Sequence, residues 1–174
     1  MDLMIDLETL GTTPGCMIGQ IGLAFFERHG HDVRASHSLP LDLWEQERLG
    51  FRVEIDTLRW WSQRDGPLRE HVMFSGTRLS RAQALGTLNS LHAVYDVRAV
   101  WAHGAAFDFP ILRELARHAG GVPWSFRKEM DTRTLFRLTG DSRPAETAHD
   151  ARQDAVEQAL AVQREMAGLR ESEA

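Results

Sequence analysis

Cysteine, lysine and long apolar runs are almost absent from this chain of 174 residues. The single cysteine, Cys16, cannot form an internal disulfide, and no second cysteine is available for a thiolate zinc site. No stretch approaches the roughly 20 apolar residues of a membrane span. Asp2 and Asp6 interrupt the apolar N-terminus, and no basic segment precedes it as in a signal peptide. These absences argue against redox, structural-zinc and membrane-spanning roles and predict a soluble, cytoplasmic protein.

Acidic residues outnumber basic ones by 25 to 20. The formal net charge is −5 at pH 7, whereas proteins that coat nucleic acids by neutralising phosphates are usually basic. An acidic chain still suits phosphate chemistry if bound divalent cations supply the local positive charge. Arginines are scattered over the first half, among them Arg59, Arg64, Arg69, Arg78 and Arg81. We interpret them as a solvated surface, with a phosphate-tracking rim as the alternative.

The composition, with 43% hydrophobic and 26% charged residues, predicts one compact domain over residues 1–174. The pattern predicts strands at residues 3–7, 17–26, 33–41, 99–101 and 126–130, with the first three in an antiparallel meander. It predicts helices at residues 44–49, 55–63, 79–95, 109–119, 131–138 and 147–169. Strands followed by alternating helices and strands indicate an α/β fold, a mixed sheet with helices on its faces.

Two acidic residues lie on the first predicted strand. Asp6 and Glu8 are two residues apart, so their side chains project from the same face of the sheet. Such a pair at a strand end is more often a solvated edge. Here it follows the apolar residues Leu3, Met4 and Ile5, which predict an interior strand where unpaired carboxylates are costly. A divalent cation would remove that cost.

Asp108 follows the predicted buried strand at residues 99–101. An aspartate before a helix whose first turn contains proline is a good N-cap, and Pro110 predicts such a helix from residue 109. Asp108 is therefore either a cap or a functional carboxylate, and the two roles are compatible.

His149 and Asp154 open the last predicted helix. Five residues separate them, so on a regular helix they would point roughly 140° apart. Both reach one site only if His149 lies in the lead-in or a distorted first turn, just after Thr147. Asp150 is the competitor, because it is on the same side of the helix as Asp154. Otherwise His149 and Asp150 are ordinary first-turn residues.

The order Asp6-x-Glu8, then Asp108, then His149-x4-Asp154 resembles the three motifs of the DEDD exonucleases, histidine subgroup (DEDDh), in the RNase H-like superfamily. The resemblance covers nearly the whole chain. It implies an RNase H-like mixed five-stranded sheet flanked by helices.

Within that family, the chain is most similar to phage DexA-like exonucleases and related small bacterial exoribonucleases. These share the turn Leu10-Gly11-Thr12 and a tryptophan pair like Trp60-Trp61. Gly104 departs from the pattern, because proofreading-type relatives usually carry asparagine after a histidine such as His103.

The resemblance implies a metal-dependent 3′-5′ exonuclease that acts on the 3′ ends of single-stranded DNA or RNA and releases nucleoside 5′-monophosphates. The metal ligands would be Asp6, Glu8, Asp108 and Asp154, whose oxygen donors suit two Mg²⁺ or Mn²⁺ ions. By resemblance, Asp6 bridges the ions, Glu8 and Asp154 complete the shell of one ion, and Asp108 holds the other through water. His149, with a reference pKa of about 6.5, would take a proton from the attacking water.

Substrate contacts follow from the same resemblance. The backbone around Thr9 and Leu10 would cradle the terminal nucleotide, Phe107 would pack near a base, and Trp61 is the candidate stacking residue. All four also fit a core role, and the pattern leaves open whether Trp60 or Trp61 faces the substrate. Two alternatives stand beside the main hypothesis: trimming of very short RNAs, and a non-catalytic nucleic-acid-binding module on the same fold. A homodimer is left open.

Overall fold

The computed structural model describes residues 1–140 and 148–172. Five strands form one sheet: β1 (Asp2–Thr9), β2 (Ile18–Phe26), β3 (Val33–Pro40), β4 (Ala99–Ala102) and β5 (Glu129–Asp131). Their order is β3-β2-β1-β4-β5. β1, β2 and β3 are antiparallel neighbours, whereas β4 runs parallel to β1 and β5 parallel to β4. The predicted meander and the mixed five-stranded sheet are confirmed.

Seven α-helices surround the sheet in the described part of the chain. They are α1 (Leu43–Arg48), α2 (Ile55–Ser62), α3 (Gly66–Met73), α4 (Arg81–Val94), α5 (Ala105–Ala116), α6 (Thr132–Thr139) and α7 (Ala151–Ser172). The sequence did not predict α3, which begins with Asp65 accepting a hydrogen bond from the Leu68 N–H at 3.2 Å. The predicted start of the last helix at Thr147 lies outside the described residues. No helix in the described ranges is long and apolar enough to cross a membrane.

The predicted strand at residues 126–130 is only partly correct. Phe126–Lys128 form a single 3-10 turn, capped where the Ser125 hydroxyl accepts the Arg127 N–H at 3.3 Å. The strand begins afterwards, at Glu129. The local turn therefore replaces the first half of the predicted strand.

Side chains of β1 alternate between the two faces of the sheet. Leu3, Ile5 and Leu7 belong to the core cluster that packs against α4 and α5. Met4 points the other way, into the cluster formed with α7. Asp6 and Glu8 continue this even-numbered series. Strand alternation therefore directs both carboxylates towards the helix that carries Asp154.

The first turn of α5 differs from the prediction. The helix begins at Ala105 with Gly104 as its N-cap, so Asp108 lies inside the helix and the predicted capping role is wrong. The Ala105 N–H instead donates to the Asp131 carboxylate at 2.9 Å. The same carboxylate caps α6, because its other oxygen accepts the Thr134 N–H. One side chain thus ties the starts of α5 and α6 together.

Candidate active site

The structure brings the four predicted carboxylates together. Asp6 and Glu8 come from β1, Asp108 from the first turns of α5, and Asp154 from the first turn of α7. Glu8, Asp108 and Asp154 are buried, with exposed fractions of 7%, 3% and 4%, and Asp6 is partly buried. The charges of the other three carboxylates all act on Glu8. The four carboxylates therefore form a cluster of acidic groups with little exposure to water.

Burial raises the pKa of all four groups, and neighbouring negative charge adds to the rise. Burial, followed by the charge of Asp6, raises the pKa of Glu8 to about 9. Burial raises the pKa of Asp6 to about 7 and that of Asp154 to about 6. Burial and then the charge of Asp6 also raise the pKa of Asp108 well above its ordinary value. Such shifts show that ionisation here is unfavourable unless a cation is present.

The start of α7 sits directly on the sheet. A Cβ built on Gly22, the ladder partner of Asp6, would lie 1.8 Å from the Ala151 carbonyl oxygen, so only glycine allows this approach. Gln20 on the same strand accepts the Ala151 N–H at 2.8 Å. These contacts hold the first turn of α7 close against β2, and they thereby position Asp154.

His149 precedes α7 in a left-handed conformation, with φ of 53°. It therefore occupies the lead-in that a shared site requires. One imidazole nitrogen lies with carboxylate oxygens of Glu8 and Asp154 in a group whose members are all within 4.8 Å of one another. Asp6 and Asp108 are not part of this compact trio. Burial, followed by the charge of Arg64, lowers the pKa of His149, which favours its neutral form at pH 7.

Asp150, the competitor of His149, is engaged elsewhere. One of its oxygens accepts the Gln153 N–H at 3.0 Å and caps α7. The other lies 3.1 Å from Nε2 of His71, on the unpredicted helix α3. These two contacts give Asp150 a structural role at the start of the helix.

Two neighbours of the site were missed by the sequence reasoning. Gln158 donates from Nε2 to Oδ1 of Asp6 at 2.8 Å. It lies four residues after Asp154, on the same helical face, and that spacing was a usable signal. The Trp60 ring meets the His149 ring edge-on, with centroids 4.9 Å apart. No local pattern distinguished Trp60 from Trp61.

A cleft of about 520 Å³ opens beside the carboxylates. Its walls include Glu8, Thr9 and three aromatic residues, Trp60, Trp61 and Phe107, so a carboxylate of the site and aromatic side chains line one space. A larger cleft, of about 580 Å³, shares Glu54 with it but contains none of the four carboxylates. We assign the chemistry to the smaller cleft for that reason.

Trp61 and Leu10, two of the predicted substrate contacts, are both largely buried. Trp61 is 2% exposed and its indole N–H donates to the Thr9 carbonyl at 2.9 Å. Leu10 is 6% exposed, with its backbone N–H bonded to Met17 and its carbonyl to Glu54. Trp61 lines the cleft with little exposed surface, and Leu10 directly follows Thr9 at the end of β1.

A family model described as the 3′-5′ exoribonuclease Rv2179c-like domain matches residues 1–166. The chain belongs to this family. The match confirms the resemblance to the histidine subgroup of DEDD exonucleases that the ordered motifs carried.

Individual relatives of this Rv2179c-like protein are distant. The exodeoxyribonuclease of Enterobacteria phage T4 is 22% identical over 141 residues, which cover 75% of this chain and 62% of the phage protein. Escherichia coli exonuclease I in complex with a dT13 oligonucleotide has a TM-score of 0.63 at 15% identity, covering 98% of this chain and 41% of that one. The nuclease domain of 3′hExo, a DEDDh family member bound to rAMP, has a TM-score of 0.61 at 11% identity, covering 95% and 91%. These likenesses confirm the RNase H-like fold.

The scattered arginines of this Rv2179c-like chain are mostly used locally. Arg59 pairs with Asp56 at 2.8 Å, and the Arg64 guanidinium lies 4.1 Å from the centre of the Trp60 ring. Two others donate to backbone carbonyls: Arg69 and Arg78. These contacts favour the interpretation as surface residues over a phosphate-tracking rim.

The stability of the metal-free protein is expected to fall as pH rises. A carboxyl group with a raised folded-state pKa stabilises the fold below its unfolded pKa, and this stabilisation is lost as pH rises through the folded value. For Glu8 the window runs from 4.5 to about 9, and for Asp6 from 3.8 to about 7. Each titrating group contributes a slope of up to about 1.4 kcal/mol per pH unit. Urea unfolding in EDTA at several pH values measures this slope.

A variant and added metal test whether the ionisation of Glu8 causes this loss of stability. Glu8→Gln should flatten the decline because the substituted side chain cannot ionise, and saturating Mg²⁺ or Mn²⁺ should reverse the decline in the unsubstituted protein. Equal slopes for the Glu8→Gln variant and the unsubstituted protein in EDTA would show that Glu8 is not held in a destabilising environment.

Proposed function

We propose that this protein is a metal-dependent 3′-5′ exonuclease that removes nucleoside 5′-monophosphates from the 3′ ends of single-stranded nucleic acid. The observation that carries the proposal is the convergence of four carboxylates with raised pKa values beside His149, next to a cleft lined by aromatic residues. A group of this kind would be poorly stable without a cation. Its donor set of oxygens is the one that Mg²⁺ and Mn²⁺ prefer.

The residues that would hold two divalent cations are Asp6, Glu8, Asp108 and Asp154. When bound, the cations supply positive charge that stabilises the attacking and the leaving oxygens of a phosphoryl displacement. Glu8 and Asp154 already place oxygens within 4.8 Å of one another, and Gln158 holds one oxygen of Asp6 in place. The chain thus orients the ligands before any cation arrives.

The proposed reaction is hydrolysis of the last phosphodiester. A water oxygen bonds to phosphorus, the bond to the 3′ oxygen of the preceding nucleotide breaks, and that oxygen takes up a proton. His149 takes a proton from the attacking water. Its lowered pKa keeps the imidazole neutral and able to accept a proton near pH 7. The edge contact with Trp60 limits rotation of the His149 ring.

The cleft beside the carboxylates would take the 3′-terminal nucleotide. Thr9, Trp61 and Phe107 line it, together with Trp60, which is more exposed than Trp61. Stacking of a base on an aromatic ring is typical of proteins that bind single strands without strong sequence preference. Trp61 and Leu10 would act through the backbone they support.

Trp60→Ala is expected to raise KM by about tenfold, since loss of one stacked base typically weakens binding by 1–3 kcal/mol. It should also lower kcat, because the His149 ring loses its edge contact. Steady-state kinetics on a single-stranded substrate measure both. Trp44→Ala is the matched control, because Trp44 is 73% exposed and lies on α1. Equal kinetics for the two variants would remove Trp60 from the site.

We propose RNA as the substrate, because the family model that covers residues 1–166 is described as an exoribonuclease domain. The distant phage relative is named an exodeoxyribonuclease, so DNA is the second candidate. Matched DNA and RNA strands, from dinucleotides to about twenty nucleotides, decide between them. Greater kcat/KM on longer RNA supports the proposal, and cleavage restricted to dinucleotides supports the trimming of very short RNAs. Binding without hydrolysis of any strand supports the non-catalytic alternative.

Three broader expectations accompany this function. We propose that residues 1–174 form one exonuclease domain, that the protein acts in the cytoplasm, and that it forms a homodimer. Sedimentation of the purified chain tests the dimer.

A further inference from the structure

The guanidinium group of Arg133 lies against the backbone at Gly104. A Cβ built on Gly104 would come within 3.1 Å of Cζ and 3.3 Å of Nη2 of Arg133. Gly104 has a φ of 114° and is the N-cap of α5, the helix that carries Asp108. Glycine at this position therefore leaves room for a guanidinium group beside a carboxylate of the site.

The backbone under Arg133 is held in place. Arg133 is the second residue of α6, two residues after the N-cap Asp131. The Asp131 carboxylate binds the N–H groups of Ala105 and Thr134, which joins the starts of α5 and α6. The base of the arginine side chain thus has a fixed position relative to Asp108.

The positive charge of Arg133 acts on the Asp108 carboxylate of the site. It opposes the rise in the pKa of Asp108 that burial and the charge of Asp6 cause. Arg133 is exposed, and among the described residues its guanidinium has no hydrogen-bond or ion-pair partner. Its five N–H donors are therefore available to an anion, and their planar arrangement suits a phosphate group.

The position of Arg133 indicates which phosphate it contacts. The cleft is bounded by Trp60 of α2 and by Thr9 at the end of β1, in the middle of the sheet. Arg133 follows β5, the strand at the sheet edge, and does not line that cleft. Among the carboxylates, Glu8 lines the cleft, and Asp108 lies on α5, whose N-cap Gly104 is next to the Arg133 guanidinium. A single-stranded nucleic acid with its 3′-terminal nucleotide in the cleft would therefore pass the carboxylates and then reach Arg133.

We propose that Arg133 binds the phosphate one nucleotide upstream of the scissile bond, in the strand that stays bound after cleavage. This inference rests on the proposed function. Arg133 would hold the single strand in register and would require a substrate with at least two phosphodiesters for full affinity. Dinucleotides lack that second phosphate.

Binding without turnover gives the first test. Fluorescence anisotropy with a 5′-labelled single strand of about ten nucleotides, in Ca²⁺ instead of Mg²⁺, compares the unsubstituted protein with Arg133→Ala. We expect Arg133→Ala to weaken binding about tenfold and to reduce the salt slope by about 0.7, the contribution of one phosphate on a single strand. Arg164→Ala, which removes an exposed arginine from the distal half of α7, is the charge-matched control and should bind within about twofold of the unsubstituted protein.

A neutral methylphosphonate then identifies the phosphate. Placed at the second linkage from the 3′ end, it should weaken binding by the unsubstituted protein about tenfold and leave Arg133→Ala unaffected. Placed several linkages upstream, it should not distinguish the two proteins. In Mg²⁺, Arg133→Ala should raise KM on long strands, leave kcat unchanged, and leave KM on dinucleotides unchanged.

Three results would overturn the inference. These are binding by Arg133→Ala within about twofold of the unsubstituted protein, equal sensitivity of both proteins to the methylphosphonate at the second linkage, and no strand binding by the unsubstituted protein. Mn²⁺ titration adds a control, because a weaker Mn²⁺ affinity in Arg133→Ala would place the residue in metal binding instead. Strand binding without hydrolysis would refute the proposed nuclease activity and still leave the Arg133 contact measurable.

Discussion

Asp154→Asn is expected to lower the cleavage rate by about a thousandfold or more, because loss of a metal ligand removes several kcal/mol of transition-state stabilisation. The substituted amide keeps the shape of the side chain. Its oxygen still accepts the Ala148 N–H, which Oδ1 of Asp154 binds at 2.8 Å. The lead-in that holds His149 therefore stays in place while the charge is lost. Single-turnover cleavage in saturating Mg²⁺ or Mn²⁺ measures the effect.

A second readout separates this loss from unfolding. The metal-free Asp154→Asn variant should be more stable than the unsubstituted protein near pH 8, since burial makes ionised Asp154 unfavourable and its charge also raises the pKa of Asp6 and Glu8. Asp96→Asn is the control, because Asp96 is exposed and its φ of 45° suits asparagine. An Asp154→Asn variant that keeps more than about a tenth of the rate would remove Asp154 from the metal site.

His149→Ala is expected to lower kcat by about a hundredfold to ten-thousandfold, the usual contribution of a positioned general base. Metal binding should be retained, since the four carboxylates are unchanged. Stopped-flow cleavage together with Mn²⁺ titration separates the two effects. His118→Ala is the control, because His118 is exposed at the end of α5, away from the carboxylates.

The dependence of the cleavage rate on pH tests whether His149 acts as a base. Only neutral imidazole accepts a proton, so the rate should rise with pH through the pKa of His149 and level off above it. Burial and the charge of Arg64 place that pKa below 6.5. His149→Ala should lose this acidic limb, and His149→Gln should behave alike. An unchanged rate and profile would assign proton removal to solvent, since Asp150 is engaged with Gln153 and His71.

Local periodicity was enough to predict the carboxylate face of the sheet. Because strand side chains alternate, Asp6 and Glu8 had to share a face with Met4, and the structure places that face against α7. The helical angle between His149 and Asp154 also showed that His149 must precede the regular helix. Both conclusions needed only the geometry of a single element.

The missed features depend on contacts between elements. Pro110 suggested a helix starting near Asp108, but Asp131, far along the chain, supplies the cap and α5 begins at Ala105. The Thr9 carbonyl accepts the Trp61 indole N–H, so Trp61 is almost fully buried, whereas Trp60 is more exposed on the same cleft. No local pattern contains either contact, so sequence reasoning could not supply them.

The most direct test of the central claim is a time course on single-stranded RNA and DNA labelled at the 5′ end, with Mg²⁺, Mn²⁺ or EDTA. We predict a ladder that shortens from the 3′ end with metal present, is absent in EDTA, and is absent with Asp154→Asn. Intact strands with both metals, or an equal ladder in EDTA, would contradict it.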